Sequence, residues 1–148
     1  MISSSRYRRI VQASGWYDLV VTAGFATPWT FALIHAALTS VAQGLPGTWP
    51  EFEPSHVLLA NLLGSIVTIW AILRIRDPQR QFGRYDAAGR FLFAAWQIYA
   101  VAHGASFMIL GFTVAELIFG VLQSLPVAED DRRQIDGRGQ PLSGAATG

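Results

Sequence analysis

The chain has no cysteine and no lysine. Without cysteine, thiol–disulfide chemistry, iron–sulfur clusters and covalently attached haem are excluded. Charge is scarce as well. Charged residues make up 14% of the chain, against roughly 25% in soluble domains. The deficit is concentrated in two apolar blocks, 16–73 and 87–126. No phosphate-binding glycine loop, nucleophile elbow, zinc-protease helix or redox cysteine pair appears in them. A net charge of +1 excludes a nucleic-acid binder by bulk charge.

All eleven basic residues are arginines, and they fall in three clusters. The first is Arg6, Arg8 and Arg9. The second is Arg74, Arg76, Arg80, Arg84 and Arg90. The third is Arg132, Arg133 and Arg138. The linker Gln43–Ser55 holds Glu51 and Glu53 but no base. Positive charge in short loops marks the cytoplasmic side of a membrane. Each apolar block is long enough to cross a bilayer twice. The sequence therefore predicts an all-α integral membrane protein, a bundle of four transmembrane helices with both termini cytoplasmic. The helices are placed at 16–41, 55–73, 85–103 and 107–125 of one domain, 1–126. Pro28 falls inside the first and is expected to kink it. That first stretch is too long for a signal peptide and is expected to stay in the membrane. The tail 127–148 is charged and then rich in Gly, Ala and Ser, which predicts disorder. Arginine-only basicity with much Ala and Gly fits a GC-rich bacterial genome, so the expected location is a bacterial inner membrane. The expected partner is the bilayer, with basic clusters against anionic headgroups. Other membrane subunits or a second copy of the chain stay open as partners.

The chain carries a pseudo-repeat. Gly15, Tyr17, Asp18 and His35 recur 68 residues later as Gly83, Tyr85, Asp86 and His103. This suggests two helical hairpins related by an axis along the membrane normal. In each copy the aspartate and the histidine lie 17 residues apart, roughly 25 Å of helix rise. The aspartates suit the first turn of a helix at the inner interface. Arg74, Arg84 and Arg90 are their available partners.

The histidines His35, His56 and His103 all map to the outer side. Two at equal depth on facing helices are placed to ligate a non-covalent b-type haem, or simply to hydrogen-bond. They lack the local spacing of a metal motif. Glu116 is the costliest residue, near the middle of the last helix. Thr113, Glu116, Gly120 and Gln123 share one face of that helix, and Asn61, Gly64, Ser65 and Thr68 share one face of the second. Facing inward, these stripes predict a polar interior of Glu116, Asn61 and Gln97. Such an interior either fixes bundle register or forms a ligand pocket. The pocket candidates are His35, His103, Asn61, Gln97 and Glu116.

The plan, the Gly-rich start of the first helix, and the stretches Ala26-Thr27-Pro28-Trp29-Thr30-Phe31 and Ala60-Asn61-Leu62-Leu63-Gly64-Ser65 resemble small bacterial membrane proteins of the DoxX-like kind. The resemblance covers residues 15–125. It implies an accessory role near membrane redox systems, with no catalytic residue to carry over. Three function classes follow. The first is a non-catalytic subunit or a binder of a small lipophilic ligand. The second is a haem- or quinone-linked electron carrier. The third is an enzyme acting on a lipid-soluble substrate.

Overall fold

A computed structural model of the chain describes residues 1–128. It is all-helical over that range. The helices are α1 (Ser4–Thr22), α2 (Pro28–Ala42), α3 (Pro54–Arg76), α4 (Arg80–Ala102) and α5 (Ile109–Ser124), with a 3-10 turn at Ala23–Phe25.

The first expected helix, 16–41, is not one helix. The arginine-bearing lead-in is already helical, because Ser3 caps α1 by accepting from the Arg6 backbone N–H at 3.4 Å. The helix stops at Thr22, and α2 leaves at an angle of 102°. The reason is local. Proline has no N–H and clashes with the carbonyl four residues back, so α1 cannot run through Pro28. The residue before a proline is driven to extended backbone, and Thr27 sits at φ −133°, ψ 150°. From there its hydroxyl caps α2, accepting from the Thr30 N–H at 3.2 Å. Pro28 therefore starts a helix instead of kinking one. The bend rests on α3 at Gly64, where an added Cβ would lie 2.6 Å from the Phe25 carbonyl carbon. Only a glycine lets the two backbones come this close.

The other bounds shift less. The second expected helix starts one residue earlier than 55, with Glu53 as the cap of α3 and Pro54 as its first residue. His56 accepts the Glu53 backbone N–H on Nδ1 at 3.3 Å. The inner loop expected from Arg74 shrinks to Asp77–Gln79, since α3 continues to Arg76 and α4 begins at Arg80.

Two pairs of helices form the body. α1 packs along α3, and α4 along α5, with α1 also touching α4 and α5. Each end is tied. At one end Ile2 donates to Pro126 O at 2.9 Å and accepts from the Ala128 N–H at 2.8 Å. Val127 and Ala128 are thus ordered against the N-terminus, which corrects the start of the expected disordered tail. Its remainder, 129–148, lies outside the described residues, as do Arg132, Arg133 and Arg138. At the opposite end Thr48 donates to Gly104 O at 2.8 Å and accepts from Ser106 N–H at 3.0 Å.

By length and apolar composition α3 alone is sufficient to cross a membrane. α1 with α2 passes only as a bent pair, and α5 is apolar but has 16 residues. The distribution of side chains inverts that of a water-soluble domain. Val20 and Trp29 are 79% and 78% exposed, while Arg74 is 0% exposed and Asp86 and Arg90 are buried.

Candidate functional site

Asp18, Arg74, Asp86, Arg90 and Glu116 converge at the centre of the bundle. Asp18 comes from the last turn of α1, Arg74 from the last turn of α3, Asp86 and Arg90 from the first half of α4, and Glu116 from the middle of α5. Arg74 donates to both aspartates, reaching Asp86 Oδ2 at 2.5 Å. Arg90 donates to Asp18 Oδ1 at 2.7 Å, to Asp86 Oδ2 at 3.0 Å and to Glu116 Oε2 at 2.8 Å. Its interaction with Asp86 spans one helical turn.

Ser14 sits in the middle of this group and is fully buried. A hydroxyl has one donor and two acceptor sites. Ser14 uses all three: it accepts from Arg74 Nη1 at 2.7 Å and Arg90 Nη2 at 2.8 Å, and donates to Asp86 Oδ2 at 2.8 Å. Trp70 donates its indole N–H to Asp86 Oδ1 at 3.0 Å. Aromatic faces complete the shell. The Arg90 guanidinium lies 5.0 Å from the Phe119 ring centroid, and Arg74 5.5 Å from Trp70. Buried charges persist only when paired and hydrogen-bonded, and this cluster meets that condition.

A cavity of about 700 Å³ opens above the cluster. Asp18, Asp86, Arg90 and Glu116 form its polar end. The walls are apolar: Val21 and Phe25 from the first helix and its bend, Ile66 and Val67 from α3, Phe93 from α4 and Phe112 from α5. Trp49 and Phe52 close the far end from the 43–53 loop. Ile66 and Phe93 are exposed on the outer surface as well. α3 and α4 scarcely pack against each other, so the side of the cavity between them is closed by few contacts.

No protein-family model, no curated protein and no solved structure matches this chain. The site must be read from its own chemistry.

Several expectations need correction. Glu116 is buried and inward, but its partner is Arg90, not Asn61 or Gln97. Asn61 instead donates to Phe25 O at 2.7 Å, securing the bend between α1 and α2. Gln97 lines the cavity and accepts from the Thr113 hydroxyl at 2.8 Å. The stripe on α3 therefore meets the bend, and the two stripes do not face each other. The aspartates are not first-turn dipole partners: Asp18 lies near the C-terminal end of α1, where the helix dipole disfavours it. Arg74 is an interior charge and not a loop one, Arg90 is interior as well, and Arg84 takes a separate role, donating to Ser124 O and Leu125 O at 2.6 and 3.0 Å.

The histidines do not share a pocket. His35 stacks on Phe31 and Trp49, and its Nε2 accepts from the Trp49 indole N–H at 3.2 Å. His103 is exposed, stacks on Tyr99 and bonds that residue's carbonyl through Nδ1 at 2.8 Å. Neither lines the cavity. Equal depth of the two histidines requires one continuous helix from Asp18 to His35, and the 102° bend breaks it. These residues do not fit a haem held between His35 and His103.

Proposed function

We propose that this chain is a multi-pass membrane protein that binds a small lipophilic molecule in the cavity above its buried ion pairs. The observation that carries the reading is the cavity itself, apolar in its walls, charged at its floor and flanked by the loosely packed cleft between α3 and α4. A ligand dissolved in the bilayer reaches such a site laterally, without passing through water. Pockets of this size and lining suit drug-sized apolar ligands oriented by a few polar groups.

The membrane half of the reading is supported by the inverted distribution of polarity. Hydropathy counts Asp18, Asp86 and Arg90 against α1 and α4, yet these side chains are turned inward and paired. What remains outside on α4 beyond Arg90 is Phe91, Leu92, Phe93, Trp96, Ile98 and Tyr99, all exposed. A contiguous apolar surface of this kind needs lipid or a partner to cover it. In this arrangement α1, α3, α4 and α5 cross the bilayer, and α2 lies across the outer end. The sixteen residues of α5 extend about 24 Å, so that crossing is short and uses the flanking turns.

The test is extraction and mass spectrometry of small molecules from purified protein, compared with a pocket-filled variant. Gly89 lines the cavity, and a Cβ added there meets nothing within 4 Å. Wild type is expected to retain a lipophilic molecule that Gly89→Phe loses. Equal recovery from both proteins contradicts the reading.

A further inference from the structure

The cavity floor holds more acid than base. Asp18, Asp86 and Glu116 supply three carboxylates, and Arg74 and Arg90 supply two guanidiniums. Among the lining residues Arg90 is the single base. With all five ionised, the cluster keeps one uncompensated negative charge, which is costly away from water.

The hydrogen bonds locate that charge. Asp18 accepts on both oxygens, from Arg74 and Arg90. Asp86 accepts on both as well, from Trp70 on Oδ1 and from Arg74, Arg90 and Ser14 on Oδ2. Glu116 engages Arg90 through Oε2 only. Among the described residues Oε1 accepts no hydrogen bond. Glu116 is thus a cavity-lining carboxylate with one oxygen open. Trp49, Phe52, Trp70, Phe93 and Phe112 line the same cavity, and aromatic rings attract cations, more strongly where water is excluded.

We propose that the ligand of this cavity is a lipophilic ammonium: an apolar body among the aromatic walls, with an N–H donated to Glu116 Oε1. The inference rests on the reading that the cavity holds a lipophilic molecule. It adds the sign of charge. A neutral ligand leaves the negative charge of the floor uncompensated, and an anionic one adds to it.

Three probes of one shape separate these cases: 1-adamantylamine, 1-adamantanol and 1-adamantanecarboxylate. Each is titrated at pH 7 into wild-type protein in zwitterionic nanodiscs, with empty nanodiscs subtracted, and heat is measured. Trp49 and Trp70 fluorescence gives an independent reading. The amine is expected to bind about ten-fold tighter than the alcohol, and the carboxylate weakest. Glu116→Gln, which keeps an acceptor for Arg90, is expected to bring amine and alcohol to equal affinity. Gly89→Phe is expected to lose all three. An alcohol or carboxylate binding as tightly as the amine overturns the ammonium proposal and leaves the lipophilic cavity standing. No probe binding above empty nanodiscs overturns the cavity reading and the proposal together. The wild-type comparison needs no substitution, so a variant that fails to fold does not rescue the idea.

Discussion

Asp18 and Asp86 lie 68 residues apart in sequence and are held by the same two arginines, Arg74 and Arg90. Each arginine therefore bridges the two helix pairs at the centre of the bundle. The pseudo-repeat that first drew attention to the aspartates marks the point where its two copies meet.

The charge count makes the cluster asymmetric toward mutation. Removing an arginine takes the net charge from −1 to −2, while neutralising a carboxylate takes it to zero. Arg90→Gln is expected to cost about 3–5 kcal/mol, because two aspartates and Glu116 lose a buried partner. Glu116→Gln is expected to stay within about 1 kcal/mol of wild type, since its amide oxygen still accepts from Arg90. Thermal unfolding in one detergent compares them. Equal losses for the two variants contradict the count.

Ser14 offers a test free of charge change. Ser14→Ala removes the hydroxyl at the centre of three hydrogen bonds, leaving two guanidinium N–H groups short of a partner. A loss of about 1–3 kcal/mol is expected. A variant as stable as wild type means the ion pairs hold without the serine.

Gly89 tests whether open space is kept for a ligand. Glycine in a helix interior costs roughly 0.5–1 kcal/mol relative to alanine, and a Cβ at this position meets nothing within 4 Å. Gly89→Leu is expected to raise the unfolding temperature of ligand-free protein while weakening binding of the probe that wild type prefers. Gain of stability with unchanged binding separates the space from the function.

Topology is read by reporters. Fusions at residue 148 and within Asp77–Gln79 are expected to report the cytoplasm, and one within Gly47–Glu53 the outside. An external C-terminus overturns the four-crossing arrangement.

The sequence was legible where spacing alone decides. The stripe Thr113, Glu116, Gly120 and Gln123 is the buried face of α5. The pairing of the aspartates with Arg74 and Arg90 was available from composition, because those were among the few bases near enough. Two things were hidden. Hydropathy carries no sign of whether an arginine points inward, so Arg74 and Arg90 read as topology signals when they are core. The break at 23–27 was the other. An apolar run with one proline reads as a kinked helix, and only the Thr27 cap reveals a new start. That break removed the histidine pair from the candidate site, while Ser14 and Trp70 entered it without a motif to announce them.

The absence of cysteine makes the central claim directly measurable, since any introduced cysteine is the sole label site. The claim is a polar interior wrapped by an apolar surface that faces lipid. Spin labels at Val20, Ile69 and Trp96, all exposed, are placed one at a time in protein reconstituted in vesicles. The account predicts high collision with oxygen and low collision with a water-soluble nickel chelate at all three, and the reverse at Glu51. Labels at Val20, Ile69 and Trp96 that collide freely with the nickel chelate contradict it.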